Sequence, residues 1–289
     1  MELSVPQVIN WLYSGRCNLS CGFCYGRFNP DTLSVEQKYQ IVDKIAGSSV
    51  PKLTITGGEP LLGEGVFDII KYAKSKGIFV SLHTNGILLD SGALNSLEGN
   101  VGRVSLAIDG STDKMNYQMR GYHGYLTLNI ELMSCLRERG VPVSIKTVAT
   151  RKNIEDIPDI AAVVEPYQPD VWLISEFLPI RRGKLNSKEY ELNRDEFGKL
   201  KDKLDGLPFY VAMDSSDSLM ANPYFFLDSR GFVHTNCPEK YDDICIGSIL
   251  EESVIDLWKR IVEINPVSDN YILRSSTNKP GPYKKRFAV

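Results

Sequence analysis

The sequence has no apolar run that approaches the roughly 20 residues needed to cross a bilayer. Its first residues carry Glu2, lack a basic segment, and become polar before an apolar stretch of signal-peptide length develops. Excess charge is also missing, because 33 Lys and Arg face 36 Asp and Glu and the net charge is −3. No overall field therefore favours nucleic acid or an anionic membrane. We expect a cytoplasmic protein with neither a nucleic-acid nor a membrane partner.

Cysteine is scarce, with six residues in a chain of 289. In a cytoplasmic protein so few thiols are metal ligands or buried side chains rather than a disulfide framework. Three of them, Cys17, Cys21 and Cys24, lie within eight residues of one another. The chain as a whole is 43% hydrophobic, which is enough for one large core or two modest ones.

Short β-branched segments alternate with amphipathic segments of helical length up to about residue 180. Strands separated by such crossovers must run parallel, because a tight hairpin joins only antiparallel neighbours. We therefore predict an α/β fold, a partial (βα)6 parallel barrel whose ligand site lies at the carboxyl ends of its strands. The predicted strands are Val8–Tyr13, Lys52–Thr56, Phe79–Thr84, Arg103–Ile108, Val143–Ala149 and Val171–Phe177.

The periodic pattern weakens beyond the sixth strand. We predict a barrel over residues 1–185 and a small α+β extension over 186–289 that packs on the barrel and covers the substrate site. Within the extension we expect a helix at 194–204, two short strands in 224–234 and a helix at 250–263. The basic tail that follows is expected to be a solvated terminus.

The strongest motif is Cys17-Asn18-Leu19-Ser20-Cys21-Gly22-Phe23-Cys24, in the loop after the first strand. Three thiolates this close can wrap one face of an iron–sulfur cube, whose four irons normally take four cysteines. With no fourth cysteine nearby, one iron stays open for a small chelating molecule. The alternative, a structural zinc site, needs four ligands, and neither a second cysteine pair nor a nearby histidine supplies the rest.

This spacing, with Phe23 before the third cysteine, resembles the radical S-adenosylmethionine (SAM) superfamily. The resemblance implies one [4Fe–4S] cluster whose open iron is chelated by the amino and carboxylate groups of SAM. Reductive cleavage of SAM then gives methionine and a 5′-deoxyadenosyl radical that abstracts a hydrogen atom from a small-molecule substrate. It also implies an external electron donor such as flavodoxin or ferredoxin.

A second motif, Thr56-Gly57-Gly58-Glu59-Pro60, directly follows the second strand. Paired glycines let a ligand approach the backbone, and a glutamate can hold an ammonium group. The superfamily resemblance assigns this segment to the amino group of SAM, and it assigns a further set of residues to the SAM pocket. The predicted SAM contacts are Gly57, Gly58, Glu59, Thr84, Asn85, Ser105, Asp109 and Arg120. The ordinary alternatives are turn pairs at Asn85 and Asp109 and a surface ion pair for Arg120.

For the substrate, the chain is similar to viperin-like enzymes in three stretches: NWLYSGRCNLSCGFC, KTVATRKNIED, and the run from FFLDSRGFVHTNC through GSILEESVIDLW. That resemblance implies removal of the 4′ hydrogen of a ribonucleoside triphosphate and loss of the 3′ hydroxyl. The chain departs from the pattern where Arg27 replaces a lysine and where Val171 and Leu173 replace a basic pair. A triphosphate needs several basic groups. The candidates are Arg27, Lys146, Arg151, Arg181, Arg182 and Lys184, with Lys284, Lys285 and Arg286 in the tail.

Two other interpretations stay open. EFLPIRRGK and the Cys237 to Cys245 segment resemble SPASM or twitch maturases, which modify peptides or small metabolites and carry an extra cluster. An extra cluster takes about four thiolates, and only Cys135, Cys237 and Cys245 remain. A non-enzymatic iron–sulfur protein would account for the cysteines and leave the glycine motif unexplained.

The cysteine pattern generates the first prediction. Anaerobic reconstitution should yield about four irons and four sulfides per chain. Replacing Cys17, Cys21 or Cys24 by Ala should abolish the cluster and SAM cleavage, whereas Cys135→Ala, on a predicted helix, should leave both nearly intact. Iron analysis and the absorbance of the cluster measure this. Near eight irons, or equal loss in all four variants, would contradict the assignment.

Overall fold

The computed structural model describes residues 4–26, 29–193 and 195–267. One ten-stranded sheet runs through the described residues, in the order β10-β9-β8-β1-β2-β3-β4-β5-β6-β7. The strands are β1 (Ile9–Ser14), β2 (Lys52–Gly57), β3 (Phe79–Thr84), β4 (Arg103–Ala107), β5 (Val143–Ala149), β6 (Val171–Glu176), β7 (Tyr210–Asp214), β8 (Phe225–Leu227), β9 (Phe232–Cys237) and β10 (Asp242–Ser248).

Helices connect the parallel strands and cover the outer face of the sheet. They are α1 (Val35–Gly47), α2 (Val66–Ser75), α3 (Ser91–Leu97), α4 (Asp113–Arg120), α5 (Tyr125–Glu138), α6 (Ile157–Val164), α7 (Arg182–Leu185), α8 (Ser187–Tyr190), α9 (Glu196–Lys203), α10 (Ser216–Ala221) and α11 (Val254–Ile264). Among the helices so described, none is both long and apolar enough to span a membrane.

The parallel α/β architecture predicted from the sequence is confirmed. All pairings from β8 through β1 and on to β7 are parallel, and β9 and β10 add antiparallel strands beyond β8. Within the described residues β7 and β10 are the edges, so the sheet is a barrel that does not close. The structure adds β7 and β10, which the sequence pattern did not predict.

The two faces of the parallel strands differ in chemistry. Residues facing the helices are apolar and buried, such as Leu53, Leu82 and Ile145. The alternating residues on the inner face are often polar, such as Thr54 and Ser81. Because side chains of a strand alternate between faces, this pattern gives the barrel a hydrophobic shell and an interior in which polar side chains lie among apolar ones.

Residues beyond 185 contribute strands to both edges of this sheet and also contact the first helix. Lys44 on α1 donates to the carbonyl oxygens of Ile249 (2.6 Å) and Leu250 (2.8 Å), just before α11. On α11, Trp258 and Leu257 are buried in the same core as the barrel helices. The division between residues 185 and 186 stays a prediction.

The turn between β8 and β9 is organised by Asp228, whose side chain is 1% exposed. Its carboxylate accepts from the backbone N–H groups of Arg230 (2.9 Å) and Phe232 (3.1 Å) and pairs with the Arg230 guanidinium at 2.8 Å. Burial would raise the pKa of Asp228, but hydrogen bonds from His234 and Arg230 outweigh it and hold that pKa well below its usual range.

This depressed pKa generates the second prediction. The stabilisation from Asp228 is present above its unfolded-state pKa of about 3.9 and is lost as the pH falls toward the lower folded-state value. Asp228→Asn should lower the free energy of unfolding by about 1–3 kcal/mol at neutral pH, and the deficit should shrink at acid pH. Urea unfolding at pH 7 and pH 3 measures this. Glu155→Gln is the control, because Glu155 is 81% exposed in its pair with Lys203. A deficit that is equal at both pH values would contradict the linkage.

Candidate active site

The three clustered cysteines lie in the loop after β1, at the carboxyl end of the barrel. Cys21 is buried, and Cys17 and Cys24 are half-buried. They pack in one group with Phe23, Tyr125, Phe177 and Tyr190. The loop is thus an ordered part of the structure, seated between the strand ends and the segment after β6.

The thiols share one electrostatic environment. Burial is the main cause that raises the pKa of Cys21 to about 11; Arg120 opposes the rise, and Cys24, Asp109 and Cys17 add to it. Burial also raises the pKa of Cys17, opposed by the backbone N–H of Leu19, which lies 3.4 Å from its Sγ. The N–H of Gly26 donates to Cys24 Sγ at 3.2 Å.

This donor set fits an iron–sulfur cluster. Across the described ranges, no three metal-ligating side chains meet as they would around a single ion. A cube of four irons instead takes its thiolates at separate corners, and N–H groups directed at sulfur stabilise such clusters. The other cysteines lie elsewhere, with Cys135 on α5, Cys237 at the end of β9 and Cys245 on β10.

The glycine motif holds the cysteine loop against the barrel. Gly58 N donates to Ser14 O at 2.8 Å, and Glu59 N donates to Arg16 O at 2.7 Å. A Cβ on Gly58 would lie 2.2 Å from Arg16 O and 3.1 Å from the Cβ of Cys17. Gly57 has a φ of +137°, and its Cβ would meet Ser14 O at 2.5 Å. Both glycines therefore permit close approach of the chain's own backbone, while their contact with SAM stays a prediction.

Glu59 is a buried bridge between the ends of β2 and β3. Its carboxylate accepts from Thr84 Oγ1 (2.7 Å), from Asn85 N (2.8 Å) and from Leu61 N (3.1 Å). Burial raises the pKa of Glu59, and these three donors oppose that rise. Asn85 in turn donates to Asn18 Oδ1 at 2.7 Å inside the cysteine loop. The predicted SAM residues Glu59, Thr84 and Asn85 thus form one hydrogen-bonded group that reaches the cysteines.

Asp109 and Arg120 form a buried ion pair beside the cysteine loop. Arg120 Nε lies 2.6 Å from Asp109 Oδ2, whose other oxygen accepts from Val148 N at 2.8 Å. Burial would lower the pKa of Arg120, but the Asp109 carboxylate outweighs it and raises that pKa. The guanidinium lies over the rings of Phe23 (5.5 Å) and Tyr125 (5.2 Å). The predicted surface alternative for Arg120 is therefore wrong, because the pair is buried.

A cavity of about 260 Å³ occupies the interior of the barrel. Phe23 and Tyr25 of the cysteine loop line it, and so do the inward residues of strands β1 to β9. Ser105, predicted as a SAM contact, lies in its wall. The ionisable groups in the wall are Lys52, His83, Arg103, Lys146, Arg181, Glu176, Asp214, Tyr25 and Tyr224.

Of the predicted phosphate ligands, Lys146 and Arg181 line this cavity. Arg151 is exposed and donates to Lys188 O at 2.9 Å, and Arg182 lies on α7, so the structure does not bring either to the cavity wall. Lys184 lies on the same short helix. Arg27 and the tail residues Lys284, Lys285 and Arg286 lie outside the described residues.

Sequence reasoning missed Lys52, His83 and Arg103. Their signal was the alternation of polar residues in buried strands, as in Lys52 with Thr54 and Arg103 with Ser105. A strand that is covered on both faces by apolar layers has a nearly continuous run of apolar residues in its sequence. Alternating polar residues in such strands therefore indicate a polar interior.

The profile of the Radical SAM superfamily matches residues 11–164. This range covers the cysteine loop, the glycine motif and the first strands, which is more than half of the chain. The chain belongs to the radical SAM superfamily. The family implies a [4Fe–4S] cluster and SAM, and the cysteine loop offers the ligands for that cluster.

Several characterised proteins are similar to the chain. It is 28% identical over 185 residues to AdoMet-dependent heme synthase of Methanosarcina barkeri, covering 62% of this chain and 53% of that protein. It is 26% identical over 258 residues to the sporulation killing factor maturation protein SkfB of Bacillus subtilis, covering 83% and 62%. It is 27% identical over 233 residues to an S-adenosylmethionine-dependent nucleotide dehydratase of Flammeovirga pacifica, covering 76% and 79%. The chain therefore spans only about half to three fifths of the first two relatives.

Among solved structures, Streptococcus suis SuiB bound to its precursor peptide SuiA matches with a TM-score of 0.75 at 15% identity. The match covers 89% of this chain and 65% of SuiB. At this identity the match shows the fold alone, a radical SAM α/β barrel.

The close approach at Gly58 generates the third prediction. Gly58→Ala should displace the cysteine loop, because the new Cβ would collide with backbone at Arg16 rather than with a movable side chain. We expect iron content after reconstitution to fall several-fold. Gly47→Ala is the matched control, since a Cβ there meets nothing within 4 Å. Iron content equal in the two variants would show that the contact does not support the cluster site.

Proposed function

We propose that this radical SAM enzyme acts on a ribonucleoside triphosphate and dehydrates its ribose, as in the viperin-like reaction. The observation that carries the proposal is the barrel cavity, which begins at the cysteine loop and has an excess of basic groups in its wall. Lys52, Arg103, Lys146 and Arg181 face two carboxylates, Glu176 and Asp214. Arg181 is already paired with Asp243, so a polyanionic substrate would be bound chiefly by the other basic groups of the wall.

The cluster and SAM, when bound, supply the radical that removes the hydrogen atom. The chain's own residues bind and orient the substrate and keep water from the site. Loss of the 4′ hydrogen atom, followed by loss of the 3′ hydroxyl with one proton as water, leaves a species that one electron converts to the 3′-deoxy-3′,4′-didehydro product. That electron comes from the external donor, flavodoxin or ferredoxin by class.

Arg181 is placed to connect the cavity with the cysteine loop. Its guanidinium donates to Tyr25 O and pairs with Asp243 at 2.6 Å. Tyr25 directly follows the third cysteine, and Asp243 belongs to β10. A substrate that fills the cavity would therefore lie next to a side chain that also contacts the cluster loop.

A nucleotide substrate is supported by relatives that are named as nucleotide dehydratases. The nucleotide dehydratase matches over 79% of its own length, more than either of the other two relatives. A single cluster is also consistent with β9 and β10, where Asp242 pairs with Cys237 and Cys245 pairs with His234. Cys245 lies on the same face of the sheet as its partner His234. His234 and Cys237 are three positions apart on β9, so their side chains leave opposite faces of the strand. Cys237 and Cys245 therefore point away from each other.

The second candidate is a maturase that acts on a peptide or a small metabolite. It is favoured by the match to SkfB, which extends over 258 residues and so includes most of the chain beyond the barrel. A cavity of about 260 Å³ inside the barrel suits a small anionic molecule better than an extended peptide.

The fourth prediction tests the substrate. Reconstituted protein with SAM, dithionite and each of the four ribonucleoside triphosphates should form 5′-deoxyadenosine faster with at least one triphosphate, and mass spectrometry should find the dehydrated nucleotide. Lys146→Met should raise the triphosphate KM about 10- to 100-fold, because a charge-assisted contact of about 1.5–3 kcal/mol is lost. Exposed Lys74, on α2, gives the control Lys74→Met. If no triphosphate stimulates SAM cleavage, the nucleotide assignment fails and the maturase assignment replaces it.

A further inference from the structure

Two basic side chains lie at the amino-terminal end of the barrel interior, opposite the cysteine loop. Lys52 is the first residue of β2 and Arg103 the first residue of β4, and both line the cavity. They are 9% and 5% exposed. Amino-terminal strand ends lie at the far side of a parallel barrel from its carboxyl-end loops. One cavity therefore joins the cysteine loop to a basic end.

His83 and Lys146 extend this basic group upward along the inner wall. His83 follows Ser81 on the inner face of β3, and Ser81 pairs with Arg103 in the β3–β4 ladder. Lys146 lies on β5 next to Ala107 of β4. Lys52, His83, Arg103 and Lys146 thus come from four consecutive strands, and we call them the basic floor.

Besides burial, the groups that shift the pKa values of Lys52 and His83 are cations. Burial, together with the nearby Arg103 and Lys146, lowers the pKa of Lys52 to about 7. Burial lowers the pKa of His83, and Lys146, Lys52 and Arg103 lower it further. The contact found for Lys52 in the described residues is the ring of Phe79, 5.9 Å from Nζ. A buried ammonium group such as that of Lys52 is unfavourable unless an anion joins it.

The carboxylates of the cavity lie at the other end of their strands. Glu176 ends β6 and accepts from Ser216 N at 2.6 Å, and Asp214 ends β7. Tyr25, Tyr224 and Arg181 are the remaining ionisable groups in the wall. Tyr25 follows the cysteine loop, and Arg181 contacts it, so both belong to the carboxyl end. The cavity is therefore polarised along its length.

We propose that the basic floor is a phosphate-binding subsite that receives the phosphate chain of the substrate, so that the substrate lies lengthwise with its sugar toward the cysteine loop. The identity of the phosphate bearer as a nucleotide rests on the proposed function, whereas the subsite itself rests on the four side chains. Tetrahedral phosphate oxygens accept several charge-assisted hydrogen bonds at once, which matches converging donors from four strands.

Binding at this subsite takes up protons. In the ligand-free protein Lys52 loses its proton near neutral pH, and a bound anion favours its charged form. Affinity should therefore be full at pH 6.5 and fall as the pH rises above about 7. An arginine at position 52 would stay charged throughout this range and remove most of the pH dependence.

Calorimetric titration of the reconstituted protein with inorganic tripolyphosphate tests the subsite without any nucleotide. The wild type should bind more weakly at pH 8.5 than at pH 6.5 by roughly tenfold, with proton uptake revealed by buffers of different ionisation enthalpy. Lys52→Met should weaken binding at pH 6.5 at least tenfold. Lys52→Arg should bind with a flattened pH dependence, and Lys74→Met should match the wild type.

Other outcomes separate this inference from the proposed function. Tripolyphosphate binding that depends on Lys52, in a protein whose SAM cleavage no triphosphate stimulates, would uphold the subsite and reject the nucleotide. Equal binding by the wild type and both Lys52 variants would overturn the subsite. Equal or tighter binding of citrate would overturn its assignment to phosphate in favour of a polycarboxylate. Should Lys52→Met fail to fold by circular dichroism, the pH profile of Lys52→Arg decides.

Discussion

The close contact between the glycine motif and the cysteine loop is the constraint on which the site depends. Two backbone hydrogen bonds, from Gly58 to Ser14 and from Glu59 to Arg16, hold the loop after β1 against the end of β2. Glu59 then carries the connection to β3 through Thr84 and Asn85, and Asn85 returns it to the loop at Asn18. Three parallel strand ends are thereby joined around the thiols before any ligand is bound.

The parts of this arrangement that are local in sequence could be predicted from it. The spacing of Cys17, Cys21 and Cys24 and the glycine motif are contiguous patterns, and the strands β3 and β5 have the bounds predicted for them. Strong β-branched runs with helical crossovers leave little choice of architecture. Arg181 and Lys146, two of the residues predicted to bind phosphate, line the cavity, and their role stays a prediction.

The remaining parts depend on contacts between distant residues. Glu59 bridges β2 and β3 because the two strands are neighbours in the sheet. Thr84 and Asn85, at the end of β3, therefore donate hydrogen bonds to its carboxylate. Lys52 and Arg103 begin their strands, where a charged residue ordinarily faces water, and the structure shows that both line the cavity. Strand β10 has half-exposed and charged residues, so its pattern is weak without its partner β9.

The polar interior has a consequence for the lifetime of the protein. A barrel that encloses cations gives up part of the apolar packing that stabilises most cores of its size, so the ligand-free chain is the less stable form. A ligand that binds only the folded state adds stability in proportion to the logarithm of its concentration. The amount of intact enzyme in a cell would then follow the supply of its substrate, because proteases remove chains that unfold. The amount of the enzyme in the cell would then report the concentration of its substrate.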